Sequence, residues 1–160
     1  MSNFTVTSTA FLPEGEIPTE YTARGADRSP EFQLSNIAAG AQSLAITMDD
    51  ADHPLFKNFN HWLIWNLPVQ SVIPEGIPKG KTVPALAGAL QGLAYGRHCY
   101  KGPKPPLQSS HRYCFTFYVL DCPLSLPASS RKRAVLAAMQ GHVLQTATLC
   151  GTYHTPQGAR

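Results

Sequence analysis

Nine consecutive residues, Arg112 to Leu120 (RYCFTFYVL), alternate with a period of two and most constrain what this chain can fold into. Phe115, Phe117 and Val119 point one way, and Cys114, Thr116, Tyr118 and Leu120 point the other, which is the pattern of an extended strand. His61 to Leu67 (HWLIWNL) is apolar on both faces and ends at Pro68, the mark of a central strand covered on two sides. Ser43 to Met48 (SLAITM) sets Leu44, Ile46 and Met48 on one face, with Ala45 and Thr47 opposite. The run that follows, Asp49-Asp50-Ala51-Asp52-His53-Pro54, is too polar to continue a buried strand, so the strand is expected to stop before it.

The remaining segments complete a mostly β pattern. Phe4 to Ala10 reads as a strand, followed by turns at Pro13, Gly15 and Pro18, and Thr22 to Pro30 as a loop. Val69 to Gly102, rich in Gly, Pro and Ala, reads as long connections. A helix is expected only late, capped by Ser129 or Ser130 and running through about Gln140, with Gly141 as its stop. Arg131, Lys132 and Arg133 fall in its first turn, where the helix dipole disfavours cations, and are expected to form a solvated face. A second short helix is expected over about His142 to Cys150, ending at Gly151. The 14 Pro and 12 Gly are scattered through the chain, as suits short strands and tight turns.

At 160 residues the chain is the size of one domain, expected to span 1–160. Charged residues are only 14% of it, below the usual ~25%, which argues against disorder. A net charge of +3 is too mild for a nucleic-acid partner. The N-terminus shows no secretory signal and no run approaches the ~18 apolar residues of a membrane helix, so a cytoplasmic protein without membrane insertion is expected. Cys99, Cys114, Cys122 and Cys150 show no CxxC spacing and read as free thiols, Cys114 in the core. Cys99, beside Arg97, His98 and Lys101, is the candidate for a reactive thiol.

Polar residues gather at two strand ends. One cluster is Asp50-Ala51-Asp52-His53-Pro54 with His61 at the mouth of the next strand; the other is Pro105 to Tyr113 (PPLQSSHRY). Loops at the ends of rigid strands commonly carry binding residues, and if the three strands are neighbours, Asp50, His61 and His111 converge on one rim. Taken singly, a histidine beside a strand is more often structural, and an aspartate before a turn usually bonds its own backbone.

The ordered set is more specific than its pieces. Asp50 to Pro54, His61-Trp62, and Pro105-Pro106 through His111-Arg112-Tyr113 resemble the motif pair of the phosphatidylethanolamine-binding protein family, in its bacterial and archaeal Raf-kinase-inhibitor-like type. Gly15-x-Ile17-Pro18-x-x-Tyr21-Thr22 and Gly25-x-Asp27-x-Ser29-Pro30 resemble its N-terminal signature, and Gly141-His142 through Gly151-Thr152-Tyr153 its C-terminal helix and tail. Ala51 and His53 stand where the family has Pro and Ala, Ser109 where it has Gly, and Glu31 where a second Pro is common. The resemblance implies a Greek-key β sandwich with one or two helices near the C-terminus. It also implies a small pocket for phosphate or a similar anion, with a phospholipid head group, a kinase or a protease as the associated partners. Its binding positions fall on Asp50, Asp52, Pro54, His61, Pro106, His111 and Tyr113; no catalytic residue, metal or cofactor is implied.

In such a pocket protonated His111 and His61 and the Tyr113 hydroxyl are suitable donors, while Asp50 would orient an imidazole. Pro54 and Pro106 would stiffen the loops. Three alternatives are open. A hydrolase using an Asp–His pair lacks a Gly-x-Ser-x-Gly elbow, a phosphate-cradling Gly-rich loop and an HExxH motif. A zinc site from His53, His61, His111 and Asp50 has the right ligand types without diagnostic spacing. A protein-interaction module that inhibits through its surface loops is compatible with an anion pocket, since a phosphorylated side chain is itself an anion.

Overall fold

A computed structural model describes residues 3–159; Met1, Ser2 and Arg160, inside the expected domain span, lie outside the described residues. In chain order the strands are β1 (Thr5–Thr7), β2 (Phe32–Ser35), β3 (Ser43–Asp50), β4 (Phe59–Leu67), β5 (Val72–Ile73), β6 (Thr82–Val83), β7 (Ala89–Gln91), β8 (Ser110–Leu120) and β9 (Val143–His154). One α-helix, α1 (Lys132–Met139), lies between β8 and β9. The strands form a three-stranded sheet, β1-β2-β5, and a six-stranded sheet, β6-β7-β4-β3-β8-β9, all paired antiparallel. Within the larger sheet the order β8-β3-β4-β7 is a Greek key, the fourth strand returning beside the first.

The two-sided apolar strands are buried as their sequences imply. On the inner face, Leu44, Ile46 and Met48 of β3, Trp62 and Ile64 of β4, and Phe115, Phe117 and Val119 of β8 pack against Phe32, Leu34 and Ile73 of the small sheet. Phe32 sits 4.9 Å from the Phe115 ring and 4.8 Å from Phe117, edge-on to the latter. On the outer face, Ala45, Leu63, Trp65 and Leu120 are covered by Val135 and Met139 of α1 together with Leu124. Each large apolar side chain removed from water contributes roughly 1.5–3 kcal/mol.

Several sequence expectations are corrected. β3 does not stop before the aspartates: it runs through Asp50, with both Asp49 and Asp50 buried. The connections after Val69 contain three short strands, β5 to β7, and of Phe4 to Ala10 only three residues form β1. The helix is capped by Arg131 without a side-chain hydrogen bond, not by Ser129 or Ser130. Lys132 is not simply solvated, since it pairs with Asp49 at 2.5 Å; Arg131 and Arg133 are exposed.

The expected second helix, His142 to Cys150, is strand. β9 pairs with β8 along its whole length, from Leu120↔Val143 to Ser110↔His154, and this ladder outweighs any local helical tendency. Leu149 and Tyr153 turn inward to the core. That register sets Cys114 opposite Cys150, with Cα atoms 4.1 Å apart and the sulfurs bonded. These two cysteines are therefore a disulfide and not free thiols, while Cys99 and Cys122 are free. Cys99 is buried, unlike an accessible reactive thiol. Among the described residues no helix is long and apolar enough to cross a membrane.

The disulfide closes a loop with a sequence separation of 36 residues. Loop-closure entropy for that length corresponds to about 4 kcal/mol. Urea unfolding of the Cys114→Ser/Cys150→Ser variant is expected to show a loss approaching that size. An unchanged midpoint, together with four titratable thiols in the unfolded wild type, would contradict the pairing.

Candidate functional site

At the end of the large sheet where β3 finishes, a concavity of about 200 Å³ is lined by Asp50, His53, Pro54, His61, Tyr95, Lys104, Pro105, Pro106, His111 and Tyr113. Asp50 and His111 come to it directly from strand register. Asp50 pairs with Tyr113 across β3 and β8, and His111 stands two residues before Tyr113 on the same face. The His111 Nδ1–H donates to Asp50 Oδ2 at 2.7 Å, and Asp50 Oδ1 accepts the Asp52 N–H at 2.9 Å. Both side chains of the pair are nearly enclosed, 11% and 4% exposed. This bond holds the proton on Nδ1 and leaves Nε2 for other partners.

His61 arrives by an irregularity. Met48 pairs with Trp62 but Asp49 pairs with Asn60, so His61 is the extra residue of a β-bulge. The bulge turns the imidazole toward Asp50 and Tyr113, where simple alternation would send it to the opposite face. Its ring lies 5.4 Å from that of Tyr113, edge-on. The Asn60 amide nitrogen bridges the bulge, 3.1 Å from the Met48 carbonyl and 2.9 Å from that of Trp62. His61 Nδ1–H donates to the Lys101 carbonyl at 2.7 Å, so Nε2 again is the unpaired nitrogen. Lys101 reaches it because Gly102 lies flat on the 21–27 loop. A Cβ there would stand 2.4 Å from the Tyr21 carbonyl oxygen, and the Gly102 N–H donates to Asp27 at 2.8 Å.

Burial pushes His61 below its ordinary 6.5, against the Lys101 carbonyl and the carboxylates of Asp50, Asp49 and Asp27, which favour the charged ring. Burial, then the charge of Asp50, pushes the Tyr113 hydroxyl far up, so it stays a neutral donor across the accessible pH range. His53 Nδ1 accepts the Leu55 and Phe56 N–H groups at 3.2 and 3.0 Å, and its ring stacks 4.7 Å from Phe59. That imidazole therefore lines the concavity in its Nε2–H form. On the opposite wall Arg24 donates to the Pro105 carbonyl at 3.1 Å, and Ser109 Oγ donates to the Pro106 carbonyl at 2.7 Å.

Of the expected binding residues, Asp50, Pro54, His61, Pro106, His111 and Tyr113 line this concavity. Asp52 does not: it is exposed, and its Oδ2 accepts the Arg112 N–H at 2.8 Å, tying the two loops together. Sequence reasoning missed Tyr95 and Lys104. Tyr95 and Gly96 both have positive φ, 54° and 68°, between the reciprocally bonded Ala94 and Arg97. That tight turn of the I′ kind puts the Tyr95 ring 5.0 Å from His61. A Tyr-Gly pair flanked by Ala94 and Arg97 was the available signal.

A larger concavity, about 400 Å³, lies toward the α1 side of the sheet between Asn60, Tyr95 and Arg131 to Arg133. It is the weaker candidate. Its least exposed cation, Lys132, is already paired with Asp49, whereas the smaller one gathers three imidazoles, two phenols and an ammonium.

Residues 7–154 match the family described as phosphatidylethanolamine-binding protein. A UPF0098 protein of Pyrococcus abyssi is 40% identical over 148 residues, covering 91% of this chain and 83% of that one. A UPF0098 protein of Methanothermobacter thermautotrophicus is 40% identical over 146 residues, covering 90% and 94%. Among solved structures, a phosphatidylethanolamine-binding protein homolog from Chlamydia trachomatis superposes with a TM-score of 0.85 at 34% identity, over 97% of this chain and 99% of that one. E. coli YbcL, described as a member of the mammalian family, superposes with a TM-score of 0.86 at 23% identity, over 96% and 99%, which shows a common fold.

A histidine lowered by folding binds its proton less tightly than in the unfolded chain. His61 therefore costs stability as pH falls from 6.5 through its folded value, and costs nothing above 6.5. Histidine Cε1–H NMR is expected to place His61 below 6.5, with His61→Gln flattening the acid side of the stability–pH curve. An ordinary titration with no change in that slope would contradict the assignment.

Proposed function

This chain belongs to the phosphatidylethanolamine-binding protein family, and we propose that the concavity between His61 and His111 is an anion-binding pocket for phosphate or a phosphorylated group. The observation that carries this reading is the enclosed Asp50–His111 pair. With Nδ1–H committed to Asp50, protonation of His111 places an N–H on Nε2, and the carboxylate behind the ring balances the imidazolium. A phosphate oxygen accepts that N–H, a second accepts the Tyr113 hydroxyl, and Lys104 supplies a further cation at the rim. Asp50 sits behind His111 as its hydrogen-bond acceptor and so avoids meeting the anion directly.

His61 gives the pocket its pH response. At neutral pH burial keeps the ring uncharged, and Nε2 then accepts a proton from a monoanionic phosphate or from an ammonium such as that of phosphoethanolamine. A bound dianion stabilises the charged ring instead, so it binds with uptake of a proton. Among the described residues no serine, threonine or cysteine lines the concavity, and Ser109 is held by its own turn, so the arrangement favours binding over nucleophilic hydrolysis.

A second reading, that the anion belongs to a partner protein, is favoured by the exposed apolar side chains at the mouth. Leu55 and Phe56 follow the lining Pro54, and Leu107 follows the lining Pro106; they are 79%, 59% and 56% exposed. Such side chains offer contact area to a phosphorylated segment that free phosphate cannot use.

Amide-proton NMR titration at about pH 6 with phosphate, phosphoethanolamine and phosphotyrosine tests the pocket. Saturable shifts at residues 50–61 and 104–113 are expected, with His111→Ala weakening phosphate at least ~10-fold, or ~1.4 kcal/mol. Absence of saturable shifts at millimolar ligand, or shifts indifferent to His111→Ala, would overturn the proposal. Phosphate affinity is also expected to fall between about pH 5.5 and about pH 8.5, after allowance for ligand ionisation, because ring charge is lost. A flat profile measured by calorimetry would rule out imidazolium recognition.

A further inference from the structure

The end of β8 and the start of β9 form a neck from which the segment carrying α1 departs. Asp121 and Cys122 follow β8 directly, and His142 directly precedes β9. The Asp121 N–H donates to the His142 carbonyl at 3.0 Å, and the Ser43 hydroxyl donates to the Cys122 carbonyl at 2.7 Å. Both sides of the neck are thus fixed at the backbone. Their side chains converge: His142 Nδ1 lies 2.8 Å from Asp121 Oδ1, and the donor atoms of Asp121, Cys122 and His142 all lie within 4.8 Å of one another. Cys122 is partly buried and takes no part in the disulfide.

We propose that Asp121, Cys122 and His142 form a zinc-class metal site that ties together the two ends of the α1 segment. The donor set decides the class. A thiolate, an imidazole and a carboxylate together suit Zn²⁺ and its stand-in Co²⁺, whereas Mg²⁺ and Ca²⁺ take oxygen ligands. Metal–ligand bonds of about 2.0–2.3 Å in a tetrahedron set donors roughly 3.5 Å apart. The observed spread closes to that by side-chain rotation, with the backbone already held. Three protein ligands leave the fourth position to water. As the metal–sulfur bond forms, the Cys122 proton passes to solvent; the His142 Nδ1 proton is exchanged through solvent onto Nε2, and the Nδ1 lone pair and Asp121 Oδ1 bind the metal in place of their hydrogen bond.

This site is independent of the anion pocket. Ser43, whose hydroxyl holds Cys122, begins β3, and Asp50 ends it, so the two sites are separated by about 23 Å of strand. The α1 segment also carries Lys132, the partner of Asp49, so a metal at the neck secures a segment that covers the outer core.

The test is a titration of the untagged full chain with Co²⁺, followed by visible and near-ultraviolet absorption, with Zn²⁺ as competitor. Expected are tetrahedral ligand-field bands and a thiolate-to-cobalt charge-transfer band saturating at a single equivalent, and their loss on adding Zn²⁺. Cys122→Ser should abolish the charge-transfer band, and His142→Ala should weaken binding by ~100-fold. Cys99→Ser and His154→Ala should leave both unchanged. Zn²⁺ should raise the thermal midpoint of the wild type and not that of Cys122→Ser, with circular dichroism checking that each variant is folded. Absence of the charge-transfer band in the wild type, or its persistence in folded Cys122→Ser, overturns the proposal.

Discussion

Two consecutive carboxylates at the end of one strand organise this molecule. Taking a carboxylate out of water costs several kcal/mol unless a cation and hydrogen bonds replace the solvent. Asp49 and Asp50 are adjacent on an extended chain, so their side chains leave from opposite faces of the sheet, and each must find its own partner. Asp50, on the inner face, takes the His111 imidazole of β8 and the Asp52 N–H. Asp49, on the outer face, takes Lys132 of α1 and lies 3.1 Å from the Asn60 amide nitrogen. One requirement for charge balance thereby aligns the pocket and the other seats the helix.

The second constraint is the bulge. Without its extra residue, His61 would alternate to the α1 side of the sheet, and the concavity would lose an imidazole and its contact with Tyr113. Asn60 spans the irregularity, and the Lys101 carbonyl fixes the ring from the far side. That carbonyl depends in turn on the loop signature Gly25-x-Asp27-x-Ser29, because Asp27 holds Gly102 while Ser29 Oγ accepts the Ile77 N–H. Residues distant in sequence from His61 thus set its tautomer and aim.

Much of the sheet was legible because its central strands are covered on both faces. Ser43 to Met48 and Arg112 to Leu120 state a period of two, His61 to Leu67 is apolar on both faces, and Asp50, His61 and His111 meet at one end of those strands. Other features depend on partners that a local pattern does not record. β9 has only one strand beside it over much of its length and leaves Val143 and Leu144 exposed, so its alternation is blurred enough to resemble a helix. The disulfide follows from the β8–β9 register, which no spacing of the four cysteines reveals. The aspartates looked unfit for burial because Lys132 and His111 lie 83 and 61 residues away. The strands β5 to β7 are two or three residues long, too short to express a period.

The last strand, β9, lies at the edge of the large sheet, which has a mechanical consequence. A pull on the residues after β9 would break the Thr155 bonds to Gln108 and Ser109 and then load β9 as a zipper, opening its rungs against β8 in sequence from Ser110↔His154 inward. Only the first few rungs are free to part that way, because the covalent tie at Cys150 halts the tear. The segment Glu14 to Ile17 also grips the outer edge there, bonding to the Cys150 and Thr152 carbonyls. Tension on the tail is therefore passed to β8, and the rungs beyond the tie must shear together, so the lip that carries His111 gives way before the body of the sheet does.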